Sequence, residues 1–315
     1  MNLIQVNHLN SQLIHFFIFV YLFLIFATVL TWYLDFRKNG KLKEIKLRIK
    51  SWWVISTLTI ISIIIGKHGV VPFFAFVSLL GIHEYLKIVP QRDSDSAIKW
   101  SVYLALFGQY YFVATEWYNM FVVFIPVYVF LYLPIKMVTT GDVQDYLNAT
   151  SKVYWGLMIN VFCISHLAYL FLLPSLKTPG EYGAGLVAFI IFLTEINDVA
   201  QFLWGKMLGK HKVIPKVSPN KTWEGLIGGV STTVIISVLL APLLTPMTFP
   251  MSLFVGLVVG IMGFFGDISI SAIKRDVGVK DSGTTLPGHG GILDRIDSIT
   301  YTAVLFFHIM KYFYY

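Results

Sequence analysis

Carboxylate, hydroxyl and ammonium side chains recur at helical spacing near the C-terminal end of the sequence. Asp267, Ser271 and Lys274 are spaced i, i+4 and i+7, so a helix would place them on one face. Asp294 and Asp297 are three residues apart and would also share a face. Because Mg²⁺ prefers carboxylate and phosphate oxygens, we expect Asp267, Asp294 and Asp297 to hold Mg²⁺ against a phosphorylated substrate, with Mn²⁺ as a substitute and Ser271 as a further metal or phosphate ligand.

Basic residues and glycines surround these acids. The candidates to neutralise phosphate charge, the arginines by two hydrogen bonds each, are Lys274, Arg275, Lys280 and Arg295. Glycines let backbone N–H groups approach phosphate oxygens closely, so Gly290 and Gly291 are candidate substrate-binding residues.

A second basic segment spans residues 205–225. We expect it to close the other side of the same polar cavity, and its candidate substrate-binding residues are Lys206, Lys210, Ser218, Lys221 and Thr222. Thr222 is a predicted N-cap, and the N-terminus of a helix favours a bound anion. The alternative is a solvated loop whose lysines only set the membrane topology.

Acidic residues inside apolar segments are expensive and mark functional sites by default. Glu195 and Asp198 are such a pair, and we expect Asp198 to add a metal ligand or to pair with a loop lysine. The alternative for all these acids is a structural ion pair. We prefer that structural role for Glu84, which lies near a predicted helix end from which it could reach the membrane interface. Replacing Glu84 by Gln should then preserve most activity.

The composition is that of a membrane protein. Of the 315 residues, 56% are hydrophobic and 13% charged, and the mean hydropathy is +0.71. A soluble domain has about 25% charged residues, and this chain has too few to cover a soluble surface. Its one cysteine excludes a disulfide framework. The net charge of +7 indicates membrane orientation and contact with anionic lipids, so we expect no nucleic-acid partner.

The fold class expected is therefore all-α and polytopic, with about ten transmembrane helices. We predict N-terminal transmembrane helices in residues 1–180 and a catalytic transmembrane region in residues 181–315, together forming one integrated membrane domain. The predicted spans are 12–34, 52–66, 70–86, 100–117, 119–138, 153–174, 183–204, 224–246, 250–271 and 297–314. The glycine-flanked junction at 66–69 predicts a tight hairpin between the second and third spans.

The distribution of basic residues predicts the orientation. With the N-terminus outside, 21 of the 24 lysines and arginines fall on the inner side. Both termini should then lie outside the cell membrane, and loops 205–223 and 272–296 should face the cytoplasm. The basic stretch 37–50 is expected to form an interfacial segment that fixes topology and binds anionic head groups.

The run from Ser271 to Asp297 resembles the signature of the CTP:phosphatidate cytidylyltransferases, also called CDP-diacylglycerol synthases. The matching residues are Ser271, Lys274, Arg275, Lys280, Asp281, Gly283, Leu286, Pro287, His289, Gly290, Gly291, Asp294, Arg295 and Asp297. The segments 205–212 and 218–225 are similar to the family's G-K-x-x-G-K and S-P-x-K-T-W-x-G blocks. The resemblance covers roughly the C-terminal 120 residues. It departs at 195–202, where the polar residues around Asp198 differ, which indicates a divergent paralogue.

The resemblance implies a membrane enzyme of phospholipid biosynthesis that converts CTP and phosphatidate into CDP-diacylglycerol and pyrophosphate. The predicted catalytic residues are Asp267, Ser271, Lys274, Arg275, Lys280, Asp281, His289 and Arg295. The expected partners are CTP, phosphatidate and membrane lipids, and a homodimer is left open. The alternatives are a CTP-dependent transferase or kinase acting on an isoprenoid lipid, and a transporter of anionic lipids or nucleotides.

The predicted orientation can be tested by labelling. We expect cysteines introduced into loops 205–223 and 272–296, in a background where Cys163 is Ala, to resist a membrane-impermeant thiol reagent in intact cells and to react after lysis. Labelling of both loops from outside would contradict the orientation, and with it the access of these loops to cytoplasmic CTP.

Overall fold

Ten helices make up most of the computed structural model, which describes residues 9–37, 42–92, 94, 98–173, 183–283, 285, 288 and 290–315. Apolar segments in lipid form helices because each backbone N–H and C=O must be satisfied within the segment. The helices are α1 (Ser11–Arg37), α2 (Lys43–Ile65), α3 (Lys67–Ile88), α4 (Ile98–Ala114), α5 (Tyr118–Val138), α6 (Tyr146–Leu172), α7 (Gly183–Leu208), α8 (Trp223–Leu244), α9 (Phe249–Asp276) and α10 (Leu293–Phe313).

The all-α, polytopic architecture is confirmed. Within the described residues, eight helices are long and apolar enough to cross a membrane, namely all except α4 and α10. By length and composition, the described residues therefore contain eight candidate spans, two fewer than the ten predicted. Helix α4 has 17 residues, and α10 carries three charged residues in its first two turns.

Several helices extend past the apolar stretches that predicted them. Helix α7 continues to Leu208 and α9 to Asp276, whereas the predicted spans end at 204 and 271. Helix α10 begins at Leu293, before the predicted start at 297. Hydropathy marks where side chains are apolar, but backbone hydrogen bonds continue a helix into polar sequence. As a result, the basic residues at the end of α9 lie on a helix and not in a loop.

The predicted tight hairpin between α2 and α3 is present. Gly66 separates the two helices and has a φ of +82°, a backbone conformation that costs glycine little. A Cβ on Gly69 would lie 2.4 Å from the carbonyl oxygen of Ser62, so the first turn of α3 approaches α2 too closely for any larger residue.

Small residues allow the C-terminal helices α7 to α10 to pack closely, as in other membrane bundles. A Cβ on Gly229 of α8 would lie 2.3 Å from the Cγ of Gln201 on α7, and one on Gly256 of α9 would lie 2.7 Å from the Cα of Val234 on α8. A Cβ on Gly266 of α9 would lie 2.6 Å from a backbone oxygen of α10. These close contacts bring the polar faces of the four helices together.

Loops that were predicted to lie on the same side of the membrane contact one another. Arg275, at the end of α9, donates from Nε to the carbonyl oxygen of Val217 at 3.3 Å. Arg48, in the basic start of α2, donates from Nε to the carbonyl oxygen of Gly288 at 3.2 Å. The basic start of α2 therefore contacts Gly288 of the glycine-rich segment, and its role at the membrane surface stays a prediction. The side of the membrane that this end of the bundle faces stays a prediction.

Candidate active site

Three carboxylates carried by three different helices lie near one another. They are Asp198 on α7, Asp267 on α9 and Asp297 on α10, and Asp297 interacts electrostatically with both of the others. The Oδ1 atom of Asp198 is buried and has no hydrogen-bond partner among the described residues. Unpaired buried carboxylate oxygens are costly, so the arrangement favours a bound cation or a hydrogen-bond donor from a ligand.

Two basic side chains face these acids. Lys221 pairs with Asp267 at 2.6 Å between Nζ and Oδ2, and Arg295 interacts electrostatically with Asp198, Asp297 and Glu195. The Nε atom of Arg295 is buried without a partner in the described part of the chain. With Glu195 included, the cluster holds four carboxyl groups and two basic groups, so a divalent cation would offset the excess of acid.

The carboxylate oxygens suit Mg²⁺ when a substrate completes the coordination. Among the described residues, no three His, Cys, Asp or Glu side chains converge tightly enough to hold a metal by themselves. Mg²⁺ in nucleotide sites is commonly bound by one or two carboxylates, with phosphates and water supplying the other oxygens. Ser271, one turn beyond Asp267, donates from Oγ to Asp267 Oδ1 at 3.2 Å and extends the same oxygen-rich face.

Asp294 lies in a separate cluster. Its Oδ1 accepts a hydrogen bond from Lys274 Nζ at 2.6 Å, and both side chains are almost fully buried. Its Oδ2 accepts from the backbone N–H groups of Ser282 and Gly291 at 2.9 and 3.0 Å. Both oxygens are therefore engaged in fixing the loop between α9 and α10. This geometry favours Asp198 over Asp294 as the third candidate metal ligand beside Asp267 and Asp297.

Glu84 of α3 anchors the same loop from the N-terminal half of the chain. Its Oε2 accepts from the Leu293 N–H at 3.0 Å and lies 3.3 Å from the Ser282 hydroxyl, while Oε1 accepts from Thr285 Oγ1. Its exposed fraction is 6%. The structural role preferred for Glu84 therefore agrees with these contacts, but its partners are hydroxyl and N–H groups of the loop and not a lysine or arginine.

The glycines of this loop pack against carboxylates. Gly290 has a φ of +81°, and a Cβ there would lie 2.6 Å from Asp294 Oδ2. A Cβ on Gly291 would lie 2.2 Å from Ser282 Oγ and 2.3 Å from Glu84 Oε2. The Gly291 N–H already donates to Asp294, so it is not available to a phosphate in this conformation. These two residues remain predicted substrate-binding residues.

The basic segment forms a compact turn before α8. Thr222 accepts from the Gly225 N–H at 3.2 Å, which confirms the predicted N-cap, and it pairs in an isolated β-bridge with Lys212. Glu224 accepts from the backbone N–H groups of Lys210 and His211 at 3.1 and 3.2 Å. Lys221 is thereby directed into the acidic cluster.

The other residues predicted from the sequence have fewer contacts with the acidic cluster. Lys206 and Lys210 are exposed, as are Lys280 and Asp281, whereas Ser218 is half-buried and accepts from the Lys221 N–H at 3.3 Å. Arg275 is exposed and joins the two loops through Val217. The predicted catalytic residue His289 lies outside the described residues, as do the signature residues Leu286 and Pro287.

Comparison with known proteins bears on this site. The profile of the cytidylyltransferase family matches residues 46–313. The chain belongs to this family. It is 43% identical over 293 residues to the Escherichia coli protein named uncharacterized protein YnbB, a match that covers 92% of this chain and 95% of that protein. It is 38% identical over 158 residues to the phosphatidate cytidylyltransferase of Staphylococcus aureus strain COL and 34% identical over 158 residues to that of Staphylococcus saprophyticus.

Each of the two staphylococcal matches covers 49% of this chain, which spans 60% of the length of those enzymes. The cytidylyltransferase family membership confirms the predicted resemblance and supports nucleotidyl transfer by a polytopic membrane protein.

Sequence reasoning missed the contacts of two polar residues near this site. The partners of Glu84 were not foreseen because they lie about 200 residues away in the chain and carry no charge. Gln201 drew no attention because an amide in an apolar stretch carries no charge, yet it accepts from Lys221 Nζ at 3.2 Å. A lone acid at the end of an apolar span was the available signal for Glu84.

The contacts of Glu84 reverse the expectation for its substitution. Glu84→Gln replaces a charged acceptor of hydrogen bonds with a neutral amide, so we expect a loss of about 1–3 kcal/mol in stability and at least tenfold in turnover. The measurement is turnover per folded protein, with the melting temperature recorded beside it. Glu116→Gln is the control, since it removes the ion pair with Lys67 elsewhere in the bundle and should keep turnover. Wild-type turnover and melting temperature in Glu84→Gln would refute the anchoring role.

Proposed function

We propose that the protein is a phosphatidate cytidylyltransferase that converts CTP and phosphatidate into CDP-diacylglycerol and pyrophosphate. The observation that carries the proposal is a polar cluster in which Asp198, Asp267 and Asp297, from three packed helices, lie near Lys221 and Arg295. The staphylococcal relatives named for this activity support the choice of acceptor.

The reaction needs charge neutralisation more than acid–base chemistry. A phosphate oxygen of phosphatidate attacks the α-phosphorus of CTP, the new P–O bond forms, and the bond to the β-phosphate breaks to release pyrophosphate. Because the attacking phosphate is already ionised, the enzyme must bring two polyanions into line and neutralise them. Lys221 and Arg295 are proposed to bind the phosphate oxygens, the arginine through its planar guanidinium.

Mg²⁺ fits the proposed site. Asp198, Asp267 and Asp297 would hold it together with substrate phosphates, and when bound it would neutralise charge on the transferred phosphate group. Ser271 would support Asp267. Lys274, Asp294 and Glu84 are proposed to position the loop between α9 and α10, where Lys280, Asp281 and His289 remain proposed catalytic residues. Lys206, Lys210, Arg275 and Ser218 would line the approach of the nucleotide.

The activity can be tested directly on the purified protein in detergent. With CTP, phosphatidate and Mg²⁺ we expect release of pyrophosphate and formation of CDP-diacylglycerol in equal amounts, loss of both after EDTA treatment, and recovery with Mg²⁺ or Mn²⁺. A polyprenyl phosphate and a polyprenol replace phosphatidate in parallel reactions. Turnover only with an isoprenoid acceptor, or turnover that survives EDTA treatment, would contradict the proposed acceptor or the proposed metal, respectively.

The carboxylates should separate into two groups on substitution. Asp198→Asn, Asp267→Asn and Asp297→Asn each keep the side-chain shape, and we expect each to lower turnover at least 10²-fold, which is about 2.7 kcal/mol of transition-state stabilisation. Pairs of these changes should be non-additive, because one metal site fails as a unit. Asp294→Asn forms the second group: it should lower the melting temperature, because the Asp294 carboxylate fixes the loop between α9 and α10.

The exposed Asp276→Asn is the matched control at the end of α9 and should keep turnover. Near-wild-type turnover in Asp267→Asn would refute the site, whereas a melting temperature unchanged in Asp294→Asn would refute the division into two groups.

A further inference from the structure

Gln201 lies on the same face of α7 as Asp198, one turn further along. Its side chain is 3% exposed, and its Oε1 accepts a hydrogen bond from Lys221 Nζ at 3.2 Å. An ammonium group can only donate, so the carbonyl end of the amide must face Lys221. The NH₂ end of Gln201 is therefore directed away from Lys221.

That NH₂ group has no hydrogen-bond partner among the described residues. A buried donor left unpaired costs about 1–3 kcal/mol, so its retention needs a reason. The side chain has little room to move to another position, because Gly229 of α8 packs directly against its Cγ and Gly225 against its backbone oxygen. The packing therefore holds an unused donor in place.

The surroundings define what would accept this hydrogen bond. The same Lys221 ammonium pairs with Asp267 at 2.6 Å and interacts electrostatically with Asp198 and Asp297. A ligand group that reaches both Lys221 and the NH₂ group of Gln201 must accept hydrogen bonds and tolerate a nearby positive charge. A phosphate oxygen has both properties, whereas an amine or a metal ion has neither.

We infer that Gln201 is a specificity-determining residue whose Nε2 donates a hydrogen bond to a phosphate oxygen of a substrate that Lys221 neutralises. The inference rests on the proposed function, since it assigns the phosphate to a substrate of that reaction. The phosphate belongs either to CTP or to the lipid acceptor, and the two sources are separated by which KM changes.

Two substitutions distinguish substrate binding from a structural role. Gln201→Met keeps the approximate volume and removes the donor, and we expect it to raise the KM for one substrate at least tenfold with a smaller change in kcat. Gln201→Glu keeps an oxygen for Lys221 but presents an anionic acceptor to the phosphate, so we expect a larger rise in the same KM. If Gln201 only held Lys221, Gln201→Glu would keep or improve that contact and leave both KM values unchanged.

The measurements are KM and kcat for CTP and for phosphatidate, equilibrium binding of CTP to each variant in detergent, and the melting temperature. Gln109→Met is the control. Gln109 is also fully buried, but it donates to the Phe121 carbonyl and the Ser165 hydroxyl, so its loss should lower stability without changing either KM.

A rise in the KM for CTP with weaker CTP binding assigns the phosphate to the nucleotide, and a rise in the KM for phosphatidate alone assigns it to the lipid. Both KM values and CTP binding within twofold of wild type in Gln201→Glu would overturn the inference. Absence of turnover in the wild-type protein would instead refute the proposed function, and binding of both CTP and phosphatidate equal to wild type in both variants would then overturn the inference as well.

Discussion

The ion pair between Lys221 and Asp267 joins the basic loop to the membrane helices, and the arrangement of the polar cluster depends on it. Each side chain is only about one-fifth exposed, so an unpaired charge there would be costly and each group stabilises the other. Asp198 and Asp297 share the positive charge of Lys221 with Asp267, and among the described residues Arg295 is the other cation beside them. The helices α7, α9 and α10 thus hold an excess of acid that a divalent cation would balance.

Close helix packing makes this concentration of charge feasible. Gly229 and Gly266 remove the side chains that would otherwise separate α7, α9 and α10 from their neighbours. Asn197 adds polar contacts deeper in the bundle, since its amide accepts from Thr233 at 3.0 Å and donates to the Gly260 carbonyl at 3.2 Å. The Asn197 amide therefore has partners, whereas Asp198 Oδ1 and Gln201 Nε2 on the same helix have none among the described residues.

The N-terminal helices contribute to the site through the loop between α9 and α10. Glu84 on α3 and Asp294 on α10 accept hydrogen bonds from opposite sides of this loop, and the Ser282 hydroxyl lies between the two carboxylates. Arg48 adds a contact from the start of α2. The loop therefore has contacts with both halves of the chain.

The sequence by itself determined the helices, their polytopic class, the cytidylyltransferase family, the N-cap at Thr222 and the candidate acids, because apolar runs, capping residues and motif spacing are local properties. It did not determine the partners of those acids. Asp294 and Asp297 share a helix face by spacing, yet Asp294 bonds to Lys274 while Asp297 lies with Asp198 and Asp267. Only the tertiary structure decided this division, because the contacts of a carboxylate depend on which helix packs against it, and that information is spread over residues far apart in the chain.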